Sequence, residues 1–145
     1  MGALAQAVQS GKALYVGLSN YDGETMSRAA AILEQLHCPF IINQNRYSIL
    51  DRVSEKNGIL SASEQLQKGV IIYSPLAQGM LTDRYLHGIP EDSRIRTDGR
   101  FLQESQLTEE RLSQLRQLQA IAQGRGQTLA QLALCWICLL YTSDA

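Results

Sequence analysis

Cysteine, proline, aromatic residues and any surplus of charge are all scarce in this sequence. Its 145 residues include three cysteines, Cys38, Cys135 and Cys138. So small and odd a number argues against a disulfide-stapled secreted scaffold and for a reducing compartment, so a cytoplasmic location is expected. Three prolines beside 45% hydrophobic residues argue against a proline-rich or low-complexity chain. Thirteen Lys and Arg against fourteen Asp and Glu leave a formal net charge of −1. No basic field is present for a nucleic acid or an anionic membrane, and neither is expected as a partner. The longest apolar run, residues 132–141, is ten residues, well short of the roughly 20 that span a bilayer as a helix. It reads as a buried helix. Met1 leads directly into helix-like residues 3–9, and no targeting segment is expected. What remains is one ordinary soluble domain, or part of one.

Three short apolar runs carry the strand signal: Leu14-Tyr15-Val16-Gly17-Leu18, Phe40-Ile41-Ile42-Asn43 and Val70-Ile71-Ile72-Tyr73. Each is nearly continuous, the pattern of a parallel sheet covered on both faces. Between the first two, Asp22 can cap a helix whose Met26, Ala29, Ala30, Leu33 and Leu36 recur at helical spacing. Between the second and third, Ile59, Leu60, Ala62, Ser63 and Leu66 make a shorter helix, with Gly69 where a left-handed C-cap is expected. Strand starts 26 and 30 residues apart have the length of repeated βα units. A long polar stretch, residues 82–106, reads as an extended loop. Thr108 then caps a helix with Leu112, Leu115, Leu118, Ile121 and Ala122 on one face, and Thr128 caps another. The expected class is α/β. A (β/α)8 barrel typically needs about 250 residues, so three βα units would be part of one, with an open doubly wound sheet as the alternative.

The polar residues that interrupt the strand ends are Ser19-Asn20, Asn43-Gln44-Asn45 and Tyr73-Ser74-Pro75-Leu76. In a parallel α/β fold the C-terminal strand ends share the face where ligands bind. Amides and hydroxyls there suit a neutral planar ligand, and Tyr73 offers a ring to stack on it. Arg84 and Arg94 in the long loop are candidates for phosphate groups, because a guanidinium presents a bidentate fork. Other signals are weak. Gly124-Arg125-Gly126 follows a helix and not a strand, so it is no phosphate loop. His37 and His87 have no neighbours at metal-ligand spacing, and the CxxC of Cys135 and Cys138 lies inside an apolar helix.

These strand ends resemble the aldo-keto reductases, NADPH-dependent (β/α)8 barrels that reduce aldehydes and ketones. The resemblance rests on Gly11 to Tyr21, Asn43-Gln44-Asn45-Arg46-Tyr47-Ser48 and Tyr73 to Thr82, in order and at matching spacing. The run from Arg84 to Arg94 is most similar to the branch containing L-glyceraldehyde 3-phosphate reductases and potassium-channel β-subunits. The resemblance implies that Ser19, Asn20 and Gln44 hold the nicotinamide carboxamide while Tyr73 stacks on the ring. It further implies that Ser74, Pro75, Leu76, Gln78 and Gly79 wrap the pyrophosphate, with Arg84 and Arg94 on the phosphates of the adenosine half.

By the same resemblance, residues 1–137 would be strands five to seven of the TIM barrel with their helices. The family's Asp, Tyr, Lys and His, which carry proton transfer, lie on its first four strands and have no match here. The chain alone is therefore expected to be inactive, though its parent would reduce a small, phosphorylated or neutral, carbonyl substrate. The channel-associated branch has an arginine at the position of Asn20, which favours the enzymes over a regulatory cofactor-binding subunit. A truncated reading frame without a function of its own is a further alternative. Residues 138–145 resemble a translated transposon-end adapter and are expected to be foreign to the family helix. Open sheet edges make self-association, as a homo-oligomer, an expectation.

Overall fold

The computed structural model describes residues 1–142. They divide into two compact units, the first formed by residues 1–47 and 51–73 and the second by residues 48–50 with those from Ser74 onward.

The first unit contains α1 (Gly2–Gln9), β1 (Val16–Ser19), α2 (Gly23–Gln35), β2 (Phe40–Arg46), α3 (Ile59–Gln65) and β3 (Gly69–Tyr73). A single 3-10 turn, Val53–Glu55, lies between β2 and α3. The strands form one parallel sheet in the order β1-β2-β3. Helix α2 starts where Asp22 accepts the Thr25 amide at 2.7 Å, which satisfies one of the first-turn N–H groups that a helix leaves open. Its buried residues Met26, Ala29, Ala30 and Leu33 join Val16 and Leu18 of β1, Phe40 of β2 and Ile59 of α3 in one core. Met26 and Leu33 are wholly buried, each contributing about 1.5–3 kcal/mol by removal from water. Both crossover helices thus cover the same face of a sheet whose strands run in sequence order. A doubly wound sheet reverses order and carries helices on both faces, so the arrangement is that of a barrel wall.

Two boundaries differ from the expectation. The first strand begins at Val16, whose amide donates to Pro39 O at 2.9 Å, and Leu14 and Tyr15 before it are 81% and 58% exposed. Gly69 is not a left-handed cap; Gln67 takes that conformation, with φ 53°. Gly69 opens β3, and there a Cβ would lie 3.1 Å from Ile42 Cγ2. Close strand packing, and not turn geometry, favours the glycine.

The second unit contains α4 (Arg94–Thr97), α5 (Glu109–Gly124) and α6 (Leu129–Thr142). Thr108 and Thr128 cap the long helices by accepting the amides of Arg111 and Gln131, each at 3.1 Å. Leu115 and Ala133 pack with Leu81 and Leu86 in a second core. Ile121, expected on the buried face of α5, is 54% exposed, because the buried pair Leu115 and Ala122 sets the stripe one residue away. Residues 82–106 are not plain loop. Two 3-10 turns, Asp83–Tyr85 and Glu104–Gln106, flank α4, and Leu81, Tyr85 and Leu102 are buried anchors. No helix among the described residues is long and apolar enough to cross a membrane.

Candidate functional site

In the first unit the register assembles the polar residues. Ser19 is the ladder partner of Gln44, which is the partner of Ile71, and Arg46 is the partner of Tyr73. Lateral partners share a sheet face and alternate residues share it along a strand, so Ser19, Gln44, Arg46 and Tyr73 stand on the face away from the helices. Asn20, one residue past β1, donates its amide to Gln44 O at 2.9 Å. Its side-chain Oδ1 accepts from Tyr73 Oη, also at 2.9 Å. Asn43 and Asn45, considered with Gln44 from sequence, point the other way. They are 0% and 5% exposed, and their amide nitrogens have no partner among the described residues. Only the central residue of Asn43-Gln44-Asn45 joins the face.

The second unit begins with a strained turn. Ser74, Ala77 and Gln78 have φ of 55°, 48° and 60°, left-handed values that cost a residue with a Cβ of order 1–3 kcal/mol each. Asn20 shares the conformation, with φ 58°, although asparagine tolerates it better. Left-handed residues other than glycine concentrate where a fold must aim its backbone at something. Sequence reasoning named Asn20, Ser74 and Gln78 as site residues but did not mark this conformation, because nothing in the residue types Ser, Ala and Gln requires that backbone.

Hydrogen bonds tie this turn to the loop that follows. Gln78 Nε2 donates to Ser74 Oγ at 2.9 Å, and Arg94 Nη1 donates to Gln78 Oε1 at 2.6 Å. Arg84 Nη2 reaches Asp92 Oδ2 at 2.8 Å and the Asp92 carbonyl oxygen at 3.1 Å. Around them lies an open cavity of about 1000 Å³, lined by Ser74, Pro75, Leu76, Gln78, Gly79, Arg84 and Arg94 among others. A substituent on Gly79, at φ 94°, would meet the Tyr85 ring at 3.4 Å. Two guanidinium groups, a hydroxyl and an amide make a donor set for phosphate oxygens. Each of these candidates lies against the cavity. Asp92, the counter-charge to Arg84, was not singled out from sequence, where it is one acid among several in a polar loop.

Perturbed acids lie outside both constellations. Hydrogen bonds from Arg52 and then Tyr47 hold the Glu55 carboxyl below its ordinary value, and the Thr25 amide does the same for Asp22. His37 and His87 are exposed, Cys135 and Cys138 are exposed and outside any disulfide among the described residues, and Cys38 is buried. No cluster of three or more His, Cys, Asp or Glu is placed to hold a metal among the described residues.

The profile of the Aldo/keto reductase family matches residues 1–142. The chain belongs to the aldo/keto reductase family. L-glyceraldehyde 3-phosphate reductase of Escherichia coli O157:H7 is 47% identical over 138 residues, covering 93% of this chain and 40% of that protein. A Schizosaccharomyces pombe protein named as a voltage-gated potassium channel subunit beta is 35% identical over 139 residues, covering 92% and 40%. The chain therefore spans about 40% of the length of the curated relatives it matches. Among solved structures, the glycerol dehydrogenase AKR11B4 of Gluconobacter oxydans superposes with TM-score 0.67 at 26% identity, covering 92% of this chain and 39% of that one. A thermostable aldo-keto reductase solved with the inhibitor epalrestat gives TM-score 0.60 at 27% identity, covering 93% and 38%. Family membership and the sequence-ordered sheet together make the chain part of an aldo/keto reductase α/β barrel.

Proposed function

We propose that this chain is the cofactor-holding part of an NADPH-dependent reductase of small aldehydes and ketones. The observation that carries the reading is the Tyr73–Asn20 hydrogen bond, which fixes an aromatic ring beside the Ser19 and Gln44 side chains. A nicotinamide presents a flat ring and a carboxamide with one acceptor and two donors. Tyr73 supplies a stacking surface, and Ser19, Asn20 and Gln44 supply the matching acceptors and donors. In the second unit, Ser74, Pro75, Leu76, Gln78 and Gly79 wrap a pyrophosphate, and Arg84 and Arg94 neutralise phosphates. The donor sets fit the group they would hold.

Bound to these residues, NADPH would supply a hydride to a carbonyl carbon. What the chain contributes is orientation: Tyr73 fixes the plane of the ring, and Ser19 and Gln44 fix its rotation by holding the carboxamide. A proton donor within hydrogen-bond reach of the carbonyl oxygen is also required, and no residue here matches the family's Asp, Tyr, Lys and His. The isolated chain is therefore inactive, and the acid belongs to the remainder of a full-length protein. The 47% identity to an L-glyceraldehyde 3-phosphate reductase supports a small, phosphorylated aldehyde as substrate. Three cysteines outside any disulfide among the described residues support a reducing, cytoplasmic setting, and exposed sheet-face residues such as Ile71, 43% exposed, support self-association of the isolated chain. Residues 138–145 are proposed to be foreign to the family; residues 143–145 lie outside the described residues.

Saturation-transfer NMR tests the cofactor reading. Irradiating protein methyl groups should transfer to the nicotinamide protons of NADPH, and Tyr73→Ala should abolish it; transfer confined to adenine protons would contradict the assignment. Purified chain with NADPH and methylglyoxal or glyceraldehyde should show no turnover above a buffer blank. A rate above the blank would refute the claim of inactivity.

A further inference from the structure

Asn20 accepts the Tyr73 hydroxyl while standing in a left-handed backbone, φ 58°. A strained residue of that kind keeps its conformation only where its surroundings over-determine it. Two hydrogen bonds bracket the turn it belongs to. On one side the Asn20 amide donates to Gln44 O at 2.9 Å. On the other the Gly23 amide, an open first-turn N–H of α2, donates to Asn57 O at 3.0 Å. The second contact is backbone on backbone, since a Cβ on Gly23 would lie 2.4 Å from Gly58 O. Residues 57–58 therefore cannot shift without shifting the turn 20–22. Both acceptors, Gln44 O and Asn57 O, belong to one stretch of chain: the end of β2 and the loop after it.

A side-chain brace holds that loop. Tyr47, the first residue after β2, is buried, and its Oη donates to Glu55 Oε1 at 2.5 Å. Arg52 closes on the same carboxylate, Nε to Oε1 at 2.7 Å and Nη2 to Oε2 at 2.8 Å. Such a bidentate pair adds geometric definition as well as attraction. The buried Ser54 donates its hydroxyl to Arg46 O at 3.2 Å. Just past the 3-10 turn, the Asn57 amide donates to Val53 O at 3.0 Å. Glu55 thus ties a buried side chain at the strand end to the turn that presents Asn57 to Gly23.

We propose that Glu55 is a positioning residue for the nicotinamide face: through Tyr47 and Arg52 it fixes Asn57, and Asn57 with Gln44 fixes the Asn20 turn that anchors the Tyr73 ring. Its role toward a cofactor rests on the reading of that face as the nicotinamide site. Glu55 itself contacts neither ring nor carboxamide in this account. Removing it leaves the donors and acceptors of Ser19, Asn20, Gln44 and Tyr73 in place and loosens the frame that aims them.

The test uses the ¹⁵N-labelled 145-residue chain, first without cofactor. Glu55→Ala should shift the backbone and side-chain amide resonances of Asn20 and the amide of Gly23, while Gly126, between α5 and α6, keeps its position. Glu55→Gln retains an acceptor for the Tyr47 hydroxyl and should bring the Asn20 and Gly23 resonances back toward wild type. NADPH titrated into the same samples should bind the Glu55→Ala chain about fivefold more weakly, with Glu55→Gln in between. Asn20→Gly keeps the left-handed backbone and removes the side chain, so in that background Glu55→Ala should weaken NADPH no further. Tyr47→Phe keeps the buried ring and deletes the link to Glu55; it should move the same resonances, and it carries the test if Glu55→Ala does not fold. Asn20 and Gly23 amides that stay at their wild-type positions in a folded variant would overturn the positioning role. So would equal losses of NADPH affinity with and without the Asn20 side chain. If the wild-type chain binds no NADPH, the cofactor reading falls, and the Asn20 response still decides whether Glu55 sets the turn.

Discussion

Tyr73 Oη donates to Asn20 Oδ1 at 2.9 Å, linking the end of the third strand to the turn after the first, past the strand that separates them. The bond uses an asparagine already held in a left-handed backbone, φ 58°, with its amide donated to Gln44 O. A ring that could rotate about two side-chain torsions is thereby fixed over one strand end.

Removing the hydroxyl separates the bond from the ring. Tyr73→Phe loses one neutral hydrogen bond, worth about 1 kcal/mol, and its NADPH dissociation constant should rise about fivefold. Tyr73→Ala also loses the stacking surface and should raise it more than about tenfold. Fluorescence titration with NADPH separates the two.

Charge in the second unit should appear as salt dependence. Arg84→Gln and Arg94→Gln each remove one cation from the phosphate cavity, so each should weaken NADPH binding by roughly tenfold. Each should also flatten the fall in affinity between low and physiological ionic strength. Titrations at two salt concentrations measure the slope. Equal slopes in wild type and both variants would show that neither arginine meets a phosphate.

Two glycines should respond differently to alanine. At Gly23 a Cβ would lie 2.4 Å from the carbonyl oxygen of Gly58, a backbone atom at the start of α3 that cannot yield cheaply. Gly23→Ala should destabilise the chain by about 1–3 kcal/mol. At Gly69 the nearest atom is a side-chain methyl of Ile42 at 3.1 Å, which can shift by a rotamer adjustment, so Gly69→Ala should cost less. Urea denaturation of both variants orders them.

Acid should weaken the link between β2 and α3. Glu55 accepts Arg52 Nε at 2.7 Å and Tyr47 Oη at 2.5 Å, and its carboxyl is held below the ordinary 4.5. A carboxyl with a depressed folded-state pKa contributes stability that is present above its unfolded value and lost as pH falls through the folded one. Glu55→Gln should therefore lower stability near neutral pH and flatten its decline below about pH 4.5. Urea midpoints across that range give the comparison.

Much of the framework was legible because it depends on local chemistry. Asp22, Thr108 and Thr128 cap the helices they precede, and the spacing of Met26, Ala29, Ala30 and Leu33 is the buried stripe of α2. What was hidden depends on contacts far apart in the chain. The need for Gly69 is set by Ile42 on the neighbouring strand, and the outward turn of Ile121 by where the second core closes. The strand-end residues were legible as a group. Their sorting onto faces was not, since Asn43, Gln44 and Asn45 look alike until the ladder register alternates them. The pairing of Arg46 with Asp51 was not visible, because an ion pair five residues apart across a turn has no periodic signature.

Isothermal titration calorimetry of the chain with NADPH tests the central claim most directly, run beside the double variant Gln44→Ala/Tyr73→Ala. Saturable binding of one NADPH per chain, weakened at least tenfold in the variant while its melting curve is retained, is the expected result. Absence of binding, or binding of equal strength in the variant, would show that the strand-end face of this aldo/keto reductase chain does not hold the nicotinamide.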